Sequence, residues 1–314
     1  MQDKSSNNTF GPDINQYTQN VNFDLLANNS DFVYLRASSS SRGTFNVDRQ
    51  FVNFAKQCLR RGIPCGAYHY GIPSYDLTTA DSQCDNFIDT LQLGFGQGNY
   101  GDLFPVLDVE EPIDGSISTT GLINWIQRFK IRFEQKTRRK IMYYTGLFFI
   151  ELYDNFNIQG KGYPLSNMPL WIAMYPRILS NPKYPPNIGG WSKWTLWQYT
   201  DEGNLSGIDN PVDLNWGPID IAYLMPPAPV VGLYAVQNGS IITVYWKANT
   251  EADISGYNIF INSLYAGTVS SKTTKFNINK SKFNLPKNQD IEISIEAFDY
   301  AGDFSLERSK YILS

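Results

Sequence analysis

From residue 32 to residue 145 the chain alternates short apolar runs with stretches of helical period, and that alternation constrains the fold more than any other feature. Phe32-Val33-Tyr34-Leu35-Arg36-Ala37 reads as a strand. Between Asp48 and Arg61, the apolar residues Phe51, Phe54, Ala55, Cys58 and Leu59 recur with the period of one buried helix face, and Gly62 ends that helix. Pro64 to Tyr70 is a strand, Thr78 to Leu93 a helix, Leu103 to Glu110 a nearly continuous apolar strand ending in acid, Thr119 to Gln135 a helix and Lys140 to Thr145 a strand. Such alternation predicts parallel strands with helices outside. Later strands, Leu170 to Tyr175 and Thr195 to Tyr199, are separated by Pro-, Asn- and Gly-rich sequence instead of a clear helix. Residues 1–225 are therefore expected to form an α/β domain, an irregular TIM-like (β/α) barrel with a helix-poor second half.

The pattern changes at Met225-Pro226-Pro227-Ala228-Pro229, read as a stiff extended linker. After it come β-branched and aromatic runs: Ile241 to Trp246, Gly256 to Ile261 and Ile291 to Ala297. The last alternates Ile with Glu or Ser, as a half-buried strand with one wet face does. Residues 226–314 thus read as a small all-β sandwich. Their early Pro226-Pro227, Trp246, Gly256-Tyr257 and the Ala297 to Gly302 stretch followed by Ser305 resemble a fibronectin type III module. That resemblance implies that Trp246 and Tyr257 pack together in its core.

Charge and composition exclude several classes. Of 26 basic and 30 acidic residues, the sandwich holds eight of each, so the net charge of -4 sits in the first domain. No basic stretch suits a phosphate backbone, so no nucleic-acid partner is expected. No run approaches the ~18 apolar residues of a membrane span, and the N-terminus lacks the apolar core of a secretory signal. Three cysteines, Cys58, Cys65 and Cys84, and one histidine, His69, argue against a disulfide scaffold and a zinc site. Free buried thiols, no metal and no cofactor are expected. His69 has no identifiable Ser or Cys partner, so it reads as a buried, hydrogen-bonded imidazole.

In a parallel barrel, reactive groups stand where strands end. Four acids have such places: Asp13 in the expected first strand, Asp108 and Glu110 closing the strand from Leu103, and Asp213 after the last barrel strand. Alternation puts Asp108 and Glu110 on one face and Val109 and Glu111 on the other. Neighbouring carboxylates repel, which leaves one protonated to donate and another ionised to stabilise a cation, the division glycoside hydrolysis needs. The bland alternative is a solvated strand end or an ion pair with Arg36. Strand aromatics add a second signal, since flat rings receive the C–H faces of sugars. Tyr70, Tyr144, Trp171, Tyr175 and Trp197 are the candidate substrate contacts, the last four expected to be partly exposed at the rim.

Residues 10–217 resemble glycoside hydrolase family 25, the Chalaropsis-type muramidases. The matching pieces are Gly11-Pro12-Asp13-Ile14-Asn15 with Tyr17, Phe32 to Ser38, Gly66 to Tyr70, Pro105 to Glu110, Met142 to Thr145, Leu170 to Ala173 with Tyr175, Leu196 to Tyr199 and Val212 to Asn215. The resemblance implies hydrolysis of the β-1,4 bond between N-acetylmuramic acid and N-acetylglucosamine in peptidoglycan strands. By position it makes Glu110 the general acid/base and Asp108 the group that orients the substrate acetamido, with Asp13 and Asp213 completing the cluster. Ser38 to Gly43 replaces the Thr-Glu-Gly-like stretch common in the family, a departure at the substrate groove. Two alternatives stay open: a non-catalytic glycan-binding or structural protein on the same barrel, and a chitinase-like hydrolase on another. The expected setting is the bacterial wall, reached as a wall enzyme, a phage endolysin or a tail or injection-device lysin whose sandwich docks to a structural protein.

Overall fold

The computed structural model describes residues 1–176, 184–209, 211–285 and 289–313. The chain divides into two compact units, Met1–Leu224 and Met225–Ser314.

In the first unit, strands β1 (Phe10–Ile14), β2 (Val33–Ser39), β4 (Cys65–Tyr70), β5 (Val106–Asp108), β6 (Met142–Gly146), β7 (Leu170–Ala173), β8 (Leu196–Gly203) and β9 (Val212–Trp216) close into a barrel through β1–β2 pairing. The short β3 (Asn46–Val47) hangs on β2. Strands β1, β2 and β4 to β8 run parallel. Strand β9 departs from the all-parallel expectation, running antiparallel to both β8 and β1. Asp213 is consequently inside the last strand, not after it. Because β9 runs the opposite way, its beginning lies at the rim where the others end.

Helices α1 (Phe23–Asn29), α2 (Phe51–Arg61), α3 (Thr78–Phe95), α4 (Thr119–Thr137) and α5 (Leu147–Leu152) accompany this barrel. Their apolar faces bury Phe51, Phe54, Ala55 and Cys58 of α2, Phe87 and Leu91 of α3, and Trp125, Phe129 and Phe133 of α4. Gly62 ends α2 with φ +64°, a left-handed conformation that costs glycine little. On the outside, Arg128 and Arg132 of α4 clamp Asp81 and Asp85 of α3 at 2.6–2.7 Å. Among the described residues no helix lies between β7 and β8, in keeping with the helix-poor second half; residues 177–183 of that connection fall outside the described residues.

The strand expected from Leu103 to Glu110 pairs only over Val106–Asp108. Pro105 has no N–H to offer, and the Leu103 carbonyl accepts from buried Arg139 at 3.0 Å. His69 is fully buried, 2.9 Å from the Ser38 hydroxyl and 3.2 Å from Gln83 Oε1, with its ring stacked near Phe45 and Phe129. Burial holds its pKa down at about 4, so it is neutral and structural. Cys58, Cys65 and Cys84 are free and buried.

The second unit contains a three-stranded antiparallel sheet, β10 (Tyr234–Asn238), β11 (Ile241–Tyr245) and β14 (Lys275–Asn279). A four-stranded sheet combines β13 (Leu264–Ser270), β12 (Ile254–Ile261), β15 (Ile291–Asp299) and β16 (Ser309–Leu313). One core joins them, with Ile242, Ile259 and Ile295 around Trp246, whose ring meets Tyr257 edge-on at 5.4 Å. The supposed wet face of β15 is not wet at its centre. Glu296 is buried, bound by Arg308 at 2.7 Å, and Arg308 lies over Phe260. The proline-rich segment is tied to this unit, since Ala228 donates its N–H to Glu251 and accepts from Asn249.

Candidate active site

One cavity of about 150 Å³ opens at the barrel rim. Asp13 reaches it from the end of β1, Asp108 from the end of β5, Glu110 from two residues beyond, and Asp213 from the start of β9. Arg36, Tyr68, Tyr70, Tyr144, Trp171 and Gln198 complete the lining. Val109 is buried in the hydrophobic core and Glu111 is exposed, as period-two alternation requires. Through Arg36 and Tyr70 the cavity continues into an open groove of about 560 Å³, lined also by Tyr17, Asn46 and Asp48. A polymer can lie across such a groove. A larger depression, about 910 Å³, holds Asp24 as its one acid, engaged by Arg61 at 2.6 Å, and so has no acid–base pair.

The carboxyls are crowded and dry. Asp13 and Asp108 are nearly inaccessible, while Glu110 keeps partial access to solvent. Burial, then the charges of Asp13 and Glu111, raise Glu110 to about 7. Burial, then Glu110 and Asp13, push Asp108 well above the carboxylate range, although Arg36 opposes this. Arg36 does not lock Asp108; its guanidinium pairs with Asp48 at 3.1 Å and lies over Tyr17. Asp108 Oδ1 is buried and has no hydrogen-bond partner among the described residues. Asp13 and Asp213 are register partners in the sheet, and their carboxyls hydrogen-bond to each other. Burial raises Asp13, but Asn215 and Gln198 pull it back. Asp213 is pushed up to about 9 by burial and then by Asp13. A cluster of this kind retains protons at neutral pH and can donate one.

The aromatic candidates divide. Tyr70, Tyr144 and Trp171 line the cavity, though Tyr144 and Trp171 are buried walls and not partly exposed ones. Tyr175 is half-exposed beside it, its hydroxyl 2.8 Å from Gln198 Oε1. Trp197 is not at the rim. It is fully buried in the outer core, donating to the Met174 carbonyl at 2.8 Å. Alternation on β8 sends Trp197 outward and its neighbour Gln198 inward. Gln198 is one residue the sequence reading missed, and the same period-two rule applied to that strand points to it. Asn215, two residues after Asp213 on β9, was missed for the same reason. Among the described residues no His, Cys, Asp and Glu grouping suits a metal ion.

Crowded carboxyls over an open groove in a closed barrel are an arrangement suited to a glycoside hydrolase. The chain belongs to glycosyl hydrolases family 25, whose profile matches residues 12–208. It is similar over its whole length to the Clostridium perfringens spore cortex lytic enzyme SleM, at 62% identity and a TM-score of 0.97, with 100% of each chain covered. An N,O-diacetylmuramidase of Arthroderma benhamiae is 31% identical over 63% of this chain and 79% of its own. The catalytic domain of endolysin ply40, from bacteriophage P40 of Listeria monocytogenes, is 26% identical with a TM-score of 0.56, covering 69% of this chain and 97% of that one. The second unit supplies the additional all-β sheets.

Proposed function

We propose that the chain hydrolyses the β-1,4 bond between N-acetylmuramic acid and N-acetylglucosamine in peptidoglycan, with Glu110 as general acid/base. One observation carries this reading: Asp108 and Glu110 face the same cavity, and Glu110, the more accessible, holds its proton to about pH 7. As the C1–O bond breaks, Glu110 gives that proton to the leaving oxygen. Asp108 Oδ1 is the open acceptor for the substrate's acetamido N–H. That hydrogen bond favours the ionised form of Asp108, and its charge strengthens Glu110's hold on the proton until transfer. The oriented acetamido oxygen meets the electron-poor C1, and Glu110 then takes a proton from the incoming water. Tyr70, Tyr144, Trp171 and Tyr175 contact the sugars. Mass spectrometry of reduced digestion products tests the reading: muramic acid at the reducing end supports it, and glucosamine there refutes it.

Residues 1–225 are the catalytic domain in this reading, an irregular TIM-like barrel. Residues 226–314 are a fibronectin type III-like spacer or docking module. The packing of Trp246 on Tyr257 and the three- and four-stranded sheets support that module. The full-length likeness to SleM favours spore-cortex peptidoglycan as the substrate and the bacterial wall as the place of action, over a phage setting.

A further inference from the structure

The orientation of one buried amide is fixed by its neighbour, and a second shares its target. The Trp171 indole N–H can only donate, and it donates to Asn215 Oδ1 at 2.8 Å. Asn215 must therefore turn its amide nitrogen the other way. That nitrogen donates to the Gly11 carbonyl at 3.2 Å and to Asp13 Oδ2 at 2.9 Å. Gln198 reaches the same oxygen, also at 2.9 Å, while its own Oε1 accepts from Tyr144 and Tyr175, each at 2.8 Å. Asp13 Oδ2 thus receives two N–H donors, which favours the ionised form of that carboxyl. No such pair of amide donors reaches Asp213 among the described residues.

We propose that Asn215 and Gln198 are positioning residues that make Asp13 the charged member and Asp213 the proton-carrying member of the β1–β9 carboxyl pair. The inference rests on the catalytic reading above and deepens it. Its consequence is local. The charge on Asp13 is among the causes that keep Glu110 protonated. The other charged or titratable groups facing the pair are Arg36 from β2, Tyr68 from β4, Asp108 from the end of β5, Glu110 two residues beyond it, Tyr144 from β6, Tyr175 just after β7 and Asp201 from β8.

Asn215→Asp and Gln198→Glu test this, because each keeps the acceptor for Trp171 or the tyrosines and replaces the amide donor by an oxygen. At the acid end of the pH–kcat/KM profile the new carboxyl is protonated and can donate to Asp13, so activity should stay within about threefold of wild type. Two pH units higher it should fall by about tenfold or more, as the new charge opposes Asp13. A profile parallel to wild type, lowered by one factor at every pH, overturns the proposal. Thermal melts confirm folding, and either variant suffices if the other is unstable. Glu110→Gln in the same assay separates the two readings: its inactivity upholds the catalytic reading whatever the amide variants do. If it keeps activity, the infrared carbonyl stretch of protonated carboxyls at neutral pH decides. Loss of one such band in Asp213→Asn supports the proposal, and an unchanged band overturns it.

Discussion

Glu110→Gln should exchange activity for stability, and only above a certain pH. Wild-type Glu110 rises from the ordinary 4.5 to about 7 in the folded barrel. Below pH 4.5 the side chain is neutral folded or unfolded, so it contributes nothing. Between 4.5 and 7 the unfolded chain ionises and the folded one resists, and stability falls as pH rises. At pH 8 the accumulated penalty reaches about 3.5 kcal/mol as an upper bound, from roughly 1.4 kcal/mol for each tenfold change in proton affinity. Gln has the same shape and no such penalty. The variant should therefore be more stable than wild type by about 1–3 kcal/mol at pH 8 and equal to it at pH 4.5, while losing about 10²–10⁴ in turnover. Urea titrations followed by tryptophan fluorescence read this out, since every tryptophan but Trp246 lies in the barrel unit. An identical stability difference at both pH values would refute the claim that Glu110 is strained by desolvation.

Other outcomes follow from the same geometry. Trp197→Ala should cost about 3–5 kcal/mol of stability, yet the folded fraction should keep its KM for peptidoglycan fragments. Gly11→Ala would drive a methyl group into the Phe32 backbone carbonyl, so a drop in Tm with a loss of about 1–3 kcal/mol is expected. In the second unit, Asp299 is raised to about 7 by burial and then Asp303, so that unit should lose stability as pH climbs from 4 to 7. Asp299→Asn, which keeps the acceptor for the Gly302 and Asp303 N–H groups, should abolish that loss in Trp246 fluorescence melts. Deleting residues 226–314 should leave a barrel with an unchanged near-ultraviolet circular dichroism per tryptophan and residual clearing of soluble muropeptides.

The helices and parallel strands were legible because each has a period that burial enforces. The face from Phe51 to Cys58 and the end at Gly62 needed only residue spacing and the special backbone of glycine. Asp108, Val109 and Glu110 sorted themselves by the same logic. Strand direction was not legible. Nothing in Val212-Asp213-Leu214-Asn215 announces that β9 returns antiparallel, because an amphipathic strand reads alike in either sense. Local pattern also failed where distant groups intervene. Arg139 occupies the carbonyls before Pro105, and Arg308 shields Glu296; both reach across the fold to partners remote in sequence. Trp197 was misplaced for a simpler reason. Its size suggested a sugar platform, whereas its parity along β8 assigned that face to Gln198.

The return of β9 beside β1 makes the cavity depend on both ends of the barrel sequence. Half of the acids stand on the first strand and the last, two hundred residues of sequence apart, and the cavity has no complete set until the seam between them zips. In the catalytic reading proposed above, a nascent chain still short of Asp213 would be an unarmed polypeptide, and any event that unzips that seam would disarm the finished one.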